Sequence, residues 1–195
     1  MNVFLDSGAF SAWRKNEVID MDKYIEFCHK HKDNVEVYAT LDVIGDPEKT
    51  WENHRIMEEA GLNPLPVYHC GSPAKYLHKC MDYEYFGLGG IAAQSEKVRL
   101  TFLDHVFKEI SDKKGIPTHK THGLGMTSFN LMREYPFYSV DSTSFALYAA
   151  YGIVLIPRKK NGQYDYTQEP YQVFISSQSN KKGYGAHFKT MPKAA

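Results

Sequence analysis

The sequence predicts an α/β fold built from repeated βα units, most simply a compact (β/α)8 TIM-like barrel, irregular or incomplete at its C-terminal end. Three observations carry this expectation. Short apolar runs recur at 2–6, 35–44, 65–70, 85–90, 118–124, 137–141 and 153–157, with a weaker one at 171–176. Segments with helical periodicity separate the earlier runs. Seven or eight such units suit a barrel better than an open doubly wound sheet, although 195 residues fall short of the usual barrel length of about 250.

Taken in order, Val3, Phe4 and Leu5 form the first apolar run and deliver Asp6. Residues 21–32 (MDKYIEFCHKHK) read as a helix with Asp20 as N-cap. His29 and His31 fall on different faces of it and make poor joint metal ligands. Residues 46–61 place Asp46 at the cap, Pro47 at the first helical position and Gly61 at the stop. Segments 73–82, 96–115 and 126–135 supply further helices. Ser142, Thr143 and Ser144 each offer a cap for a helix after Asp141. The stretch RKKNGQYDYTQEPYQVFIS (158–176) reads as a β-hairpin, because Asn161-Gly162 is a strong turn signal. One domain over 1–195 is expected, with 158–195 a basic and aromatic C-terminal extension or hairpin.

Composition narrows the classes. Apolar residues make up 43% and charged residues 24%, ordinary values for a globular chain. No stretch approaches the ~20 apolar residues of a membrane span, and no basic-then-apolar leader pattern opens the chain. A cytoplasmic protein is expected. The 23 basic and 23 acidic residues cancel, so no global field draws in a polyanion. Basic residues nevertheless cluster late, at Arg158, Lys159, Lys160, Lys181 and Lys182, interleaved with Tyr164, Tyr166, Tyr171 and Tyr184. That mixture suits nucleic-acid backbone contact and base stacking, or else a solvated face. Three cysteines without C-x2-C spacing argue against a disulfide framework and a structural zinc site.

A barrel carries its chemistry at the C-terminal ends of its strands. The apolar runs end at Asp6, at Asp42 in ATLDVIGD, at His69 in PVYHCG, in GLGGIA, in THGLGM and at Asp141 in YSVDSTS. A lone aspartate at such a place is usually a cap or turn residue. Here Asp46 and the serines and threonine after Asp141 already fill that role, so three converging carboxylates read as a site. Paired carboxylates suit exchange at an anomeric carbon, one attacking and the other moving protons. Glycine turns admit a flat ligand close to main-chain groups, and Phe10 could stack on a planar ring. No Walker A, G-x-G-x-x-G or G-x-S-x-G pattern competes with this reading.

With those motifs in hand, the chain resembles the tRNA-guanine transglycosylase superfamily. DSGAFS resembles its D-S-G-G-[FY]-Q motif, LGGIA its G-G-L-A loop and HGLGMTS its M-G-V-G-T-P segment. SVDSTS falls where that family has F-D-C, and the motifs keep the family's order from residue 6 to 144. The resemblance implies a (β/α)8 barrel that exchanges guanine for a 7-deazaguanine base through a covalent aspartyl–ribosyl intermediate. It makes Asp141 the nucleophile and Asp6 the general acid/base. Ser7, Phe10, Asp42, His69, Gly89, Gly90, Ile91, His122, Gly123 and Gly125 would line the base site. Arg158, Lys159, Lys160, Lys181 and Lys182 would meet the nucleic-acid backbone. The family's zinc-binding C-x-C-x2-C pattern is absent, which points to its compact, phage-type members acting on DNA rather than tRNA. No metal or cofactor is implied. The implied partners are nucleic acid and a base such as preQ0 or preQ1, with a homodimer as a further option and, for a phage protein, the host cytoplasm as its compartment. Ala9 and Ser11 stand where the family has glycine and glutamine, and Gln94 and Ser95 near its loop glutamate. An N-glycoside hydrolase using the same carboxylates, and a silent nucleic-acid-binding barrel, are the alternatives.

Overall fold

The computed structural model describes residues 3–92, 94–126, 128–165, 167–175 and 186–187. They form a mixed α/β structure with small sheets. The chain divides into two compact units, Met1–Met126 with Tyr135–Asp141, and Thr127–Glu134 with Ser142–Ala195.

The first unit runs β1 (Phe4–Leu5), α1 (Ala9–Arg14), α2 (Met21–His31), β2 (Val37–Tyr38), α3 (Pro47–Glu59), β3 (Val67–His69), α4 (Ala74–Cys80), β4 (Tyr85–Gly89), α5 (Glu96–Ile110), β5 (Lys120–Gly123) and, after an excursion into the second unit, β6 (Ser139–Val140). Every strand pairing here is parallel, β1 with β2 and β3-β4-β5-β6 in chain order. An isolated parallel bridge from Ala39 to Leu65 continues the row between β2 and β3. Parallel neighbours in sequence order are what successive βα units produce. The row also curves: the ring of Phe4 on β1 stacks on His122 of β5, with centroids 3.9 Å apart and planes 9° from parallel.

Local chemistry explains the helices. The carboxylate of Asp20 accepts the Lys23 N–H at 3.1 Å and that of Asp46 the Lys49 N–H at 3.0 Å, each satisfying an orphan donor of the first turn. At the end of α3, Leu62 N–H reaches the Met57 carbonyl and Gly61 N–H that of Glu58, a Schellman closure. The apolar contact that accompanies such a closure is present, since Met57 and Leu62 share a buried cluster with Ala9, Tyr24, Cys28 and Leu41. On α5, Phe102, Leu103, Val106, Phe107 and Ile110 form one buried stripe at helical spacing. Phe102 stacks on Tyr68 of β3, and Phe107 meets Tyr135 and Phe137 just before β6. Cys28, Cys70 and Cys80 are free thiols.

The second unit holds α6 (Phe129–Glu134), α7 (Ser144–Tyr151), β7 (Ile153–Ile156), β8 (Arg158–Lys160), β9 (Gln163–Asp165), β10 (Tyr171–Phe174) and β11 (Ala186–His187). β7 and β10 pair antiparallel, β10 and β11 parallel, and β8 and β9 close a hairpin. Asn161 and Gly162 at its tip have φ of 53° and 81°, the two left-handed values a type I′ turn requires. Thr143 precedes α7 without a side-chain cap bond, while the Ser142 hydroxyl accepts the Ser144 N–H at 3.0 Å. Among the described residues no helix is long and apolar enough to cross a membrane.

Candidate active site

The first unit gathers Asp6, Asp42, His69, Gly89, His122, Gly125 and Asp141 at the C-terminal ends of its strands. Asp6 is the residue immediately after β1, and the backbone N–H groups of Ser7 and Gly8 lie close enough to its carboxylate to favour the ionised form. Ser7 is buried, with its hydroxyl accepting the Ala9 N–H at 3.4 Å. Partial desolvation by the rim, and then the charges of Asp141 and Asp42, push the Asp6 carboxyl above its ordinary value against those two N–H donors. Asp6 keeps an exposed side, so solvent screens part of this effect.

Asp42 sits in the loop between β2 and α3, and α3 pins that loop from below. The Asn53 amide donates to the Leu41 carbonyl at 2.8 Å, and the Val43 N–H to the Thr50 hydroxyl at 2.9 Å. This sets Asp42 Oδ2 at 3.3 Å from Nε2 of His69, the last residue of β3. Burial alone would lower the His69 pKa, but the Asp42 carboxylate 3.3 Å from its Nε2 overcomes it and raises the imidazole. The Asp42 side chain is only 10% exposed, and its Oδ1 is buried with no hydrogen-bond partner among the described residues. A buried carboxylate oxygen of this kind is costly unless a ligand donor completes it. Gly89 makes the pair possible. A Cβ there would lie 2.7 Å from Cδ2 and 2.8 Å from Nε2 of His69, so only a bare backbone lets the ring lie across the end of β4.

Asp141 follows β6 directly. Its Oδ1 takes two hydrogen bonds, from the Gly125 N–H at 2.8 Å and from His122 Nε2 at 3.2 Å, and its own N–H reaches the Gly123 carbonyl at 3.3 Å. Gly125 has φ of +63°, a left-handed turn that aims its N–H at the carboxylate. Burial would raise the Asp141 carboxyl, but the bond from His122 first, and then that from Gly125, hold it below its ordinary value. Asp6 and Asp141 are therefore pushed in opposite directions by their surroundings. With its side chain 36% exposed, Asp141 remains open to a ligand.

His122 is almost wholly buried, at 2%. Both ring nitrogens are engaged, Nε2 with Asp141 and Nδ1 with the Ser139 hydroxyl at 2.6 Å, and the Tyr85 hydroxyl stands 2.6 Å from Ser139. The residue expected among the ligand contacts is thus held inside the protein, behind Asp141. Ser139 and Tyr85 were absent from the sequence-based site. Strand alternation does carry a signal for Ser139, because residues 139 and 141 share a face and His122 registers opposite Ser139. Tyr85 lies on the neighbouring strand, where Gly87 registers opposite His122.

The other expected residues fall in three groups. Phe10, on the first turn of α1, is 49% exposed, and its ring stacks on Trp13 with centroids 5.9 Å apart. Ile91 is buried, and the Gly89 and Ile91 carbonyls are taken by the N–H groups of Cys70 and Gln94, so the exposed backbone of this turn is that of Gly90. Arg158, Lys159 and Lys160 belong to β8 in the second unit, where Arg158 lies over the Tyr171 ring at 4.2 Å and Lys159 over Tyr164 at 5.2 Å. Lys181 and Lys182 lie outside the described residues. Among the described residues no group of three His, Cys, Asp or Glu side chains is arranged to hold a metal ion.

A cavity of about 610 Å³ opens among the N-terminal ends of the strands, lined by Glu36, Asn63, Glu84 and Lys120 and reaching His122 and Asp141. Asp141 is the one rim carboxylate that lines it; Asp6, Asp42 and His69 do not. No family model matches the chain, nor does any curated protein or solved structure, so the functional reading rests on the residues themselves.

Proposed function

We propose that the chain is a base-exchanging transglycosylase acting on nucleic acid, on a (β/α) barrel whose first six strands are β1 to β6. The observation that carries this reading is the gathering of Asp6, Asp42 and Asp141 at the strand ends, with Asp141 Oδ1 held by the His122 ring at 3.2 Å and the Gly125 N–H at 2.8 Å. In the proposed reaction Oδ2 of Asp141 attacks the ribosyl C1′ as the bond from C1′ to guanine breaks, its electron pair leaving with the base. Asp6 gives its proton to that base. An incoming 7-deazaguanine then passes its ring N–H proton to Asp6, and the freed nitrogen displaces Asp141 from C1′. Two displacements at one carbon retain the configuration.

The unpartnered Oδ1 of Asp42 supports a ligand with N–H groups on its edge, as guanine has, with the His69 imidazolium beside it as donor. A stacked base cannot reach these groups, so the substrate is a flipped or single-stranded nucleotide. DNA is favoured over tRNA because the zinc-binding cysteine pattern of the tRNA-acting relatives is missing. The hairpin residues Arg158, Lys159 and Lys160 are the proposed backbone contacts.

The test is incubation of the full chain with guanine-containing DNA and RNA oligonucleotides, with and without a 7-deazaguanine base, followed by nucleoside mass spectrometry. Exchange of guanine that requires the added base and is lost in Asp141→Asn supports the proposal. Free guanine with an abasic site, independent of added base, would replace it with an N-glycoside hydrolase. No change in either polymer would leave a binding role alone.

A further inference from the structure

Behind Asp141 runs a chain of side chains that the proposed reaction does not yet use. From Tyr85 the path is phenol to Ser139 hydroxyl at 2.6 Å, hydroxyl to His122 Nδ1 at 2.6 Å, then Nε2 to Asp141 Oδ1 at 3.2 Å. The Tyr85 hydroxyl also stands 3.4 Å from Nδ1, so both hydroxyls face that nitrogen. A carboxylate accepts only, so Nε2 carries a proton and donates to Asp141. A hydroxyl has one proton, and Ser139 stands at hydrogen-bond distance from two groups, so it donates to one and accepts from the other. The Tyr85 phenol, raised by burial, keeps its proton and supplies the first link. For a neutral ring with its proton on Nε2, Nδ1 accepts a hydroxyl proton, and Ser139, the nearer hydroxyl at 2.6 Å, donates it while accepting from Tyr85. The ring is fixed in plane as well as in tautomer, because Phe4 stacks on it at 3.9 Å and the residue is 2% exposed.

We infer that Tyr85 and Ser139 are positioning residues for Asp141, acting through His122, a role that rests on Asp141 being the nucleophile. Their hydroxyls hold the imidazole with its N–H toward the carboxylate. Together with the Gly125 N–H, this ties down Oδ1 and leaves Oδ2 as the single oxygen free to attack. With the hydroxyls gone the ring can turn its unprotonated nitrogen toward Asp141. That loses a donor and sets a lone pair against a negative charge, the effect of a wrong tautomer in other His–Asp arrangements.

The experiment pairs a spectrum with a rate. In the ¹⁵N-labelled chain, His122 should show a pyrrole-like Nε2 and a pyridine-like Nδ1. In the Tyr85→Phe/Ser139→Ala double variant that assignment should be lost. The same variant should form the covalent complex with a guanine-containing oligonucleotide roughly 10- to 100-fold more slowly at unchanged half-saturation, as loss of outer-shell partners does elsewhere. Ser139→Thr, which keeps a hydroxyl, should recover both signals. A double variant with the wild-type spectrum and rate, in a chain whose Asp141→Asn form is inactive, overturns the positioning role alone. If Asp141→Asn reacts normally, the transglycosylase reading fails, and the wild-type and double-variant spectra still decide the tautomer.

Discussion

Two histidine–aspartate pairs stand at the strand ends, and they are finished differently. In the His122–Asp141 pair every position on the anchoring side is filled. Oδ1 takes two donors, and the far nitrogen of the ring is backed by Ser139. In the His69–Asp42 pair the ring reaches Oδ2 alone, and Oδ1 is buried without a hydrogen-bond partner among the described residues. A fully anchored carboxylate presents one oxygen in one direction, which suits attack on a fixed carbon. A half-satisfied one stores an unmet acceptor, which suits capture of a ligand that brings its own N–H. Under the proposed function, the contrast gives chemistry to one pair and recognition to the other.

The largest effect that would break this contrast is at Asp141. Asp141→Asn should reduce guanine exchange by on the order of 10⁴-fold or more, measured by single-turnover release of labelled guanine, as loss of a nucleophile does in hydrolases. Asp6→Asn comes next. It removes the proton carrier, and exchange should fall roughly 10²- to 10⁴-fold. Stability should move the other way. Because the folded-state pKa of Asp6 is raised, its ionised form works against folding at every pH above the ordinary aspartate value. Asp6→Asn should therefore melt at a higher temperature than the parent at neutral pH, with the difference shrinking as the pH falls below that value. An unchanged or lower melting temperature at neutral pH would show that Asp6 is not held under repulsion.

Asp42→Asn should raise the half-saturating concentration of the guanine-containing substrate by roughly 10- to 100-fold, with a smaller change in the rate at saturation, because an acceptor becomes half a donor. Equal losses in both parameters would instead give Asp42 a part in the chemistry. Gly89→Ala should act more weakly and through the same pair. The new methyl displaces the His69 ring, and the chain should lose about 1–3 kcal/mol of unfolding free energy in urea. The smallest effect is in pH. The His69 pKa is raised by its pairing, so the stability it contributes is complete below the ordinary histidine value and is lost as the pH rises through the shifted one. Substrate affinity should decline over the same alkaline range in the wild type, and Asp42→Asn should flatten that decline.

Much of the architecture is legible in the residues. The apolar run at 85–90 becomes β4 (Tyr85–Gly89), and the Asp46-Pro47 signal opens α3 where a cap and a first-turn proline belong. The Asn161-Gly162 pair forms the tip of β8 and β9. These succeed because short-range chemistry decides them. The helix α1 is less visible, since its six residues contain no cap side chain and begin from a left-handed Gly8. The excursion of Thr127–Glu134 into the second unit leaves no mark in composition.

For the site, the sequence by itself determined which chemical groups stand at strand ends. A strand that stops at a polar residue and turns places that residue on the rim, as with Asp6, His69 and Asp141. Only the tertiary structure decided what each of them touches. The Asp42–His69 contact joins a loop and a strand end 27 residues apart in sequence, and the bond from Tyr85 to Ser139 spans 54. No local pattern encodes such distances; they depend on curvature of the parallel strands and on which side chains that curvature brings into register. The opposite displacement of Asp6 and Asp141 has the same origin. The two carboxyl groups are alike as residues, and what separates them is the donors and charges that folding sets around each.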